Sequence, residues 1–152
     1  MDAAALRIEP FRPPLQSVFR QLVLDGLAEH WGEVDESLNP DLDDVALTYQ
    51  DDVVLVAIEA GRPVGTGILV LLPPAGQIVR MSVSHDRRRR GIGRTLVSAL
   101  IESAPEHGVD HLVVETNARW TGSRSFYEQS GFTFTHYAPG PFGSEAFYEM
   151  RL

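Results

Sequence analysis

IVRMSVSHDRRRRGIGRTLVSALIESA, residues 78–104, changes its apolar period partway along. Ile78, Val79, Met81 and Val83 are bulky or β-branched and lie between Gly76 and Asp86, which predicts a buried strand over 78–85. From Ile92 the apolar positions fall at spacings of three and four: Ile92, Leu96, Ala99 and Leu100, with Ser103 on the same face. That spacing predicts an amphipathic helix. The junction, Arg87 to Arg94, holds five of the thirteen arginines and two glycines, Gly91 and Gly93. Helix-start amides lack partners within the helix and carry partial positive charge. Glycines let a ligand approach the backbone closely. A pyrophosphate is the natural guest. A dinucleotide fingerprint is excluded because position 96 is Leu where a third glycine is needed, and a Walker loop because the chain has no lysine.

Working outward, Leu6 to Glu9 predicts a short edge strand, and Pro13-Pro14 the first turn of a helix ended by Gly32. Asn39-Pro40-Asp41 predicts a second helix running to about Tyr49. Val53–Ile58 and Val64–Leu72 predict an antiparallel hairpin, His111–Thr116 a strand, and Gly122–Ser130 a helix. Phe132 to Tyr137 predicts a strand, Ala138–Gly143 a loop, and Glu145–Leu152 a final strand. The order is β-α-α-β-β-β-α-β-α-β-β in a single domain over residues 1–152.

The chain has 152 residues, is 43% hydrophobic and 22% charged, and carries a formal net charge of −8. It has no cysteine, which excludes disulfides, thiolate metal sites and a cysteine nucleophile. His30, His85, His107, His111 and His136 lack metal-ligand spacing, so no metal is expected. No apolar run reaches membrane-spanning length and no leader pattern opens the chain, so no membrane partner and a cytoplasmic location are expected. Eleven acids and no Arg fall between Gln21 and Gly61, a solvated face or a rim that draws cations. The one dense basic cluster is absorbed by the phosphate loop, so nucleic acid is not an expected partner.

Arg88-x-x-Gly91-x-Gly93 after a strand resembles the acetyl-CoA loop of the GCN5-related N-acetyltransferase (GNAT) family. Ser123-Arg-Ser-Phe-Tyr127-Glu-Gln-Ser-Gly131-Phe132 is similar to that family's last helix, which ends Tyr-x-x-x-Gly-Phe. The resemblance covers about residues 45–152. It implies a mixed, mostly antiparallel seven-stranded α/β (α+β) sheet with helices on both faces, splayed between the strands at 78–85 and 111–116. It implies acetyl-CoA as the acyl donor and a primary amine as the acceptor. The pantetheine arm would run along Met81, Ser82 and Val83, and the diphosphate would sit on the backbone of Arg88, Arg89, Arg90, Gly91, Ile92 and Gly93. Arg88 and Arg90 are the first-ranked side-chain contacts, with Arg87 or Arg94 on the 3′-phosphate and Asn117 after the next strand.

Tyr127 is the expected acid, set against the leaving thiolate. Family members commonly carry a strand acid that helps deprotonate the amine, but here positions 79 and 80 are Val and Arg. Glu33, Glu36, His85 and Glu115 remain as candidate bases. Trp31, Tyr137 and Phe142 are expected in the acceptor wall. Two other readings stay open: a transferase using another acyl-CoA or a protein N-terminus, and a weakly catalytic CoA-binding sensor. A homodimer is allowed, and the sensor reading would join it through the last strands.

Overall fold

The computed structural model describes residues 5–152. The elements are β1 (Leu6–Pro10), α1 (Gln16–Trp31), α2 (Val45–Thr48), β2 (Val53–Glu59), β3 (Arg62–Leu72), β4 (Ala75–Val83), α3 (Ile92–Ser103), β5 (His111–Asn117), α4 (Thr121–Gln129), β6 (Thr133–Gly140) and β7 (Gly143–Arg151). The order of elements is the one the periodicities predict. The strands form one mixed sheet in the order β1-β2-β3-β4-β5-β7-β6, in which only β4 and β5 are parallel.

Three boundaries differ from expectation. Helix over Asn39–Tyr49 breaks into a 3-10 turn at Pro40–Asp43 and the single turn α2, because Asp44 caps the amide of Leu47 and restarts the helix. The strand expected over 78–85 begins at Ala75 and stops at Val83. The Pro/Gly stretch expected as a loop over 138–143 is mostly strand. β6 continues through Gly140, and its partner β7 starts at Gly143. Pro139 is tolerated because β6 is an edge strand, where a missing N–H need not break a ladder bond.

Alternation along the strands, broken in β3 by the register shift opposite Ala57 and Ile58, sends side chains to two cores. Val56 and Ile68 pack with Phe19, Val23 and Leu24 of α1, while Ala57 and Val64 pack with Ile92 and Leu96 of α3. Leu69, Ile78, Val97, Leu100, Tyr127 and Tyr148 complete the second face with α4. None of the described helices is long and apolar enough to cross a membrane.

β4 and β5 pair only from Ala75–Gln77 to His111–Val113; beyond that β4 has no partner on this side. Near the parting point β4 carries a bulge opposite β3, between Thr66 and Ile68, with Arg80 at φ 55°. A bulge bends the strand and re-aims its side chains. Strict alternation would put Met81 on the face of Val79; instead it joins the α3 side with Ile78. The Thr66 hydroxyl fixes this turn by donating to the Arg80 carbonyl at 2.7 Å. Across the α1 face, Gly26 lets the helix settle onto β4, since a Cβ there would lie 2.8 Å from Ser82 Oγ.

Candidate functional site

The parting of β4 and β5 opens a cleft of about 1210 Å³ that runs between the two helical layers. At one end stands the start of α3. Gly91 caps it at φ 80° and ψ 10°, a left-handed conformation that glycine adopts without strain. No side chain caps this helix, so its first amides are left for a ligand or water. Gly93 packs its bare face against Phe126 of α4, where a Cβ would come within 3.2 Å of the ring.

The arginines of the loop divide by partner. Arg87 binds Glu59 at 2.7 Å and Asp86 at 3.0 Å, and Arg90 approaches Glu59 at 3.8 Å. Arg88 is ion-paired with Glu29 of α1 and donates to the Val83 carbonyl at 3.2 Å. Arg94 makes one long contact, 3.4 Å to Gln129. Arg89, at φ 63°, has no ion-pair partner among the described residues and lines the cleft with Arg94. The two side chains ranked first from sequence, Arg88 and Arg90, thus lie against carboxylates, while Arg89 and Arg94 are the less committed cations.

Tyr127 stands on the cleft wall in the middle. It is 7% exposed, held edge-on by Phe126 and Phe132 at centroid distances of 5.1 and 5.8 Å. Its hydroxyl has no hydrogen-bond partner among the described residues, and no side-chain polar atom there is both sealed and unpaired, so the hydroxyl opens on the cleft. Burial pushes its pKa well above the ordinary phenol value, so it remains a donor through the physiological range.

On the α1 side the bulge aims Arg80 at the connector after α1. Its guanidinium meets Asp41 through two bonds, 2.6 and 2.9 Å, and reaches Asn39 at 3.1 Å. Tyr49 donates to the same carboxylate at 2.6 Å. Burial pushes Asp41 up, but these hydrogen bonds outweigh it and hold the carboxyl below its ordinary range. Burial and the bond to Asp41 push Tyr49 up to about 12. A depressed carboxyl pKa contributes stability that is present above the unfolded value, about 3.9, and is lost as pH falls through the folded value. Arg80→Ala should therefore lower unfolding free energy by about 1.5–3 kcal/mol near pH 7. The gap from wild type should narrow in urea titrations carried out below pH 4. A gap that stayed constant with pH would show that Asp41 is not the group involved.

Farther along this side, aromatic rings bridge the two walls. His30 at the end of α1 stacks on Trp120 of the β5–α4 loop at 3.8 Å and 12°. Trp31 packs on Trp120 at 5.3 Å and on Phe142 of the β6–β7 turn at 5.7 Å. Of the aromatics expected here from sequence, Trp31 and Phe142 come together, whereas Tyr137 lies against Phe134 at 4.8 Å with Arg124 over its ring. Trp120 and His30 were not singled out for this wall. The sequence offers one signal for Trp120, the extra residues Ala118–Gly122, of which Ala118–Trp120 form the β5–α4 loop, and none for His30.

The remaining predicted residues scatter. Met81, Ser82, Val83 and Glu115 line the cleft, and the Ser82 hydroxyl donates to the Leu22 carbonyl at 2.8 Å. Glu33 is exposed in the bend after α1, away from the cleft lining. Glu36 pairs with Arg20, and His85 with Glu29. Asn117 is 4% exposed and staples loops together, donating to the Phe142 carbonyl at 3.2 Å and accepting from the Arg119 amide.

The model of the acetyltransferase (GNAT) family matches residues 19–132. N-acetyltransferase 8 of Rattus norvegicus is 32% identical over 111 residues, which is 67% of this chain and 50% of that protein. The chain thus spans about half the length of that curated relative. A GNAT-family acetyltransferase of Staphylococcus aureus Mu50 superposes with a TM-score of 0.86 at 21% identity, covering 97% of this chain and 99% of that one. The PaiA N-acetyltransferase of Thermoplasma acidophilum, solved in complex with coenzyme A, superposes with a TM-score of 0.84 at 14% identity, covering 97% and 99%.

Proposed function

The chain belongs to the GNAT acetyltransferase family, and from that premise we propose that it transfers an acetyl group from acetyl-CoA directly to a primary amine. The observation that carries this is one continuous surface. An unpaired β4 edge leads from the uncapped, glycine-flanked start of α3 to the free hydroxyl of Tyr127. A diphosphate matches the first, through the amides from Ile92 to Arg94 and the side chains of Arg89 and Arg94. The amide-rich arm of the coenzyme matches the unpaired edge, because on the side away from β3 the backbone groups of β4 beyond Gln77 have no strand beside them. A protein with the same fold was solved in complex with coenzyme A, which supports coenzyme A as the ligand.

The residues of the chain then divide the work. The loop holds the donor, and β4 aligns it past Met81 and Val83. Tyr127 donates to the sulfur as negative charge grows there. Full proton transfer from a phenol near pKa 10 to a thiolate near 8.5 would already run about 2 kcal/mol uphill, and burial of Tyr127 raises that further. A hydrogen bond to developing charge is therefore its role. No side chain is acylated, since the chain lacks cysteine and shows no Ser-His-Asp arrangement.

The absence of an acid at positions 79 and 80 favours a second reading, a module that binds coenzyme A without turning it over. Thiol release from acetyl-CoA with a panel of amines separates the two. Amine-dependent thiol release at more than about tenfold over the no-enzyme rate is expected. Tight coenzyme binding with no thiol release from any amine would leave the binding module.

A further inference from the structure

Building on the acetyl-transfer reading, we propose that His30 takes the proton from the ammonium of the acceptor. An alkylamine near pKa 10.4 is protonated at neutral pH, and freeing its lone pair costs about 4.6 kcal/mol. A neutral base on the acceptor side of the cleft lowers that barrier.

Geometry selects His30. Val23, Gly26, Leu27 and His30 form the stripe of α1 that lines the cleft, and His30 ends it. Its face is occupied by Trp120, which fixes the ring across the gap and leaves the nitrogens at its edge. Neither nitrogen has a hydrogen-bond or ion-pair partner among the described residues. The other titratable groups on this side fail in turn. Asp41 is consumed by Arg80 and Tyr49, and Tyr49 is itself a donor to Asp41. Glu115 lines the cleft from the exposed face of β5, with no side-chain partner among the described residues to hold its carboxylate in position.

The charged groups acting on His30 are Glu29 of its own helix and Arg88 of the phosphate loop; on the β5–α4 side it meets the uncharged Trp120. Partial burial lowers its pKa, Glu29 opposes this, and Arg88 adds to it. Glu29 is shared with Arg88 and His85, and the net effect on His30 is a lowered pKa. The imidazole is thus neutral, and able to accept a proton, at pH 7. In the step, one N–H bond of the ammonium breaks and His30 becomes imidazolium. The amine nitrogen bonds to the acetyl carbon and the carbon–sulfur bond breaks. The second nitrogen proton passes to water, the thiolate leaves hydrogen-bonded to the Tyr127 hydroxyl and takes its proton from solvent, and His30 returns its proton to water.

His30→Gln tests this, with the full chain, acetyl-CoA, an alkylamine, and an arylamine whose nitrogen is already neutral at pH 7. With the alkylamine, kcat/KM at pH 7 should fall about a hundredfold. The wild-type acid limb, with its midpoint below 6.5, should disappear. With the arylamine the two proteins should agree within about twofold, and coenzyme A affinity should match. Equal losses with both amines, or an unchanged acid limb in an active variant, would overturn the role of His30 while leaving acetyl transfer standing. A wild type that binds the coenzyme but releases no thiol with either amine would remove both.

Discussion

Gly91→Asp is expected to weaken coenzyme A binding by about a hundredfold, whereas Gly91→Ala should change it only a few-fold. Gly91 lies at φ 80°, and a Cβ built there meets nothing within 4 Å. The protein itself therefore does not reject a side chain; the cost is the left-handed backbone, about 1–2 kcal/mol for a residue other than glycine. That strain is present with and without ligand and cancels from the affinity, so it appears in thermal stability for both variants. The carboxylate is different. At about 5 Å from a doubly charged diphosphate it is repelled by about 1.7 kcal/mol even at the dielectric constant of water, and by more at the loop surface. A hundredfold loss corresponds to about 2.7 kcal/mol. Calorimetric titration of the three proteins reads the difference directly. Equal affinities for Asp and Ala variants would place the diphosphate somewhere other than the start of α3.

Tyr127→Phe should lower kcat by ten- to a thousandfold with coenzyme A affinity almost unchanged. The ring packs between Phe126 and Phe132, and phenylalanine keeps both contacts. The lost hydroxyl has no partner among the described residues, so its removal orphans no buried group there and the melting temperature should hold or rise slightly. What disappears is a donor aimed into the cleft where negative charge grows on sulfur. An interaction made only in the transition state lowers kcat and kcat/KM together. Because burial raises the phenol, no loss of rate attributable to Tyr127 is expected between pH 7 and 9 in the wild type. Steady-state kinetics with the amine found most active decides it, and an unaltered kcat removes Tyr127 from the chemistry.

Local pattern carried much of this protein. The switch from alternating to three-and-four spacing marked β4 and α3, and the glycines between them marked the turn that starts α3, because both signals depend on residues close in the chain. The break at Asp44 and the strand character of Ala138–Gly140 were not legible. A four-residue helix and an edge strand with a proline are held by partners elsewhere, not by their own propensities. The acceptor side was the least visible. Trp120 and His30 stand ninety positions apart, and no spacing rule joins them.

The amino-acid order by itself determined the succession of strands and helices, the arginine-rich glycine turn at Arg87–Arg94, and the placement of Tyr127 in the helix before β6. Tertiary structure alone decided which arginines are spent on Glu29 and Glu59, where the bulge sends Arg80, and which rings meet at the α1 end of the cleft. The division has one physical cause. Periodicity and turn chemistry act over a few residues, whereas the availability of a charge or a ring nitrogen is settled by whatever distant group reaches it first.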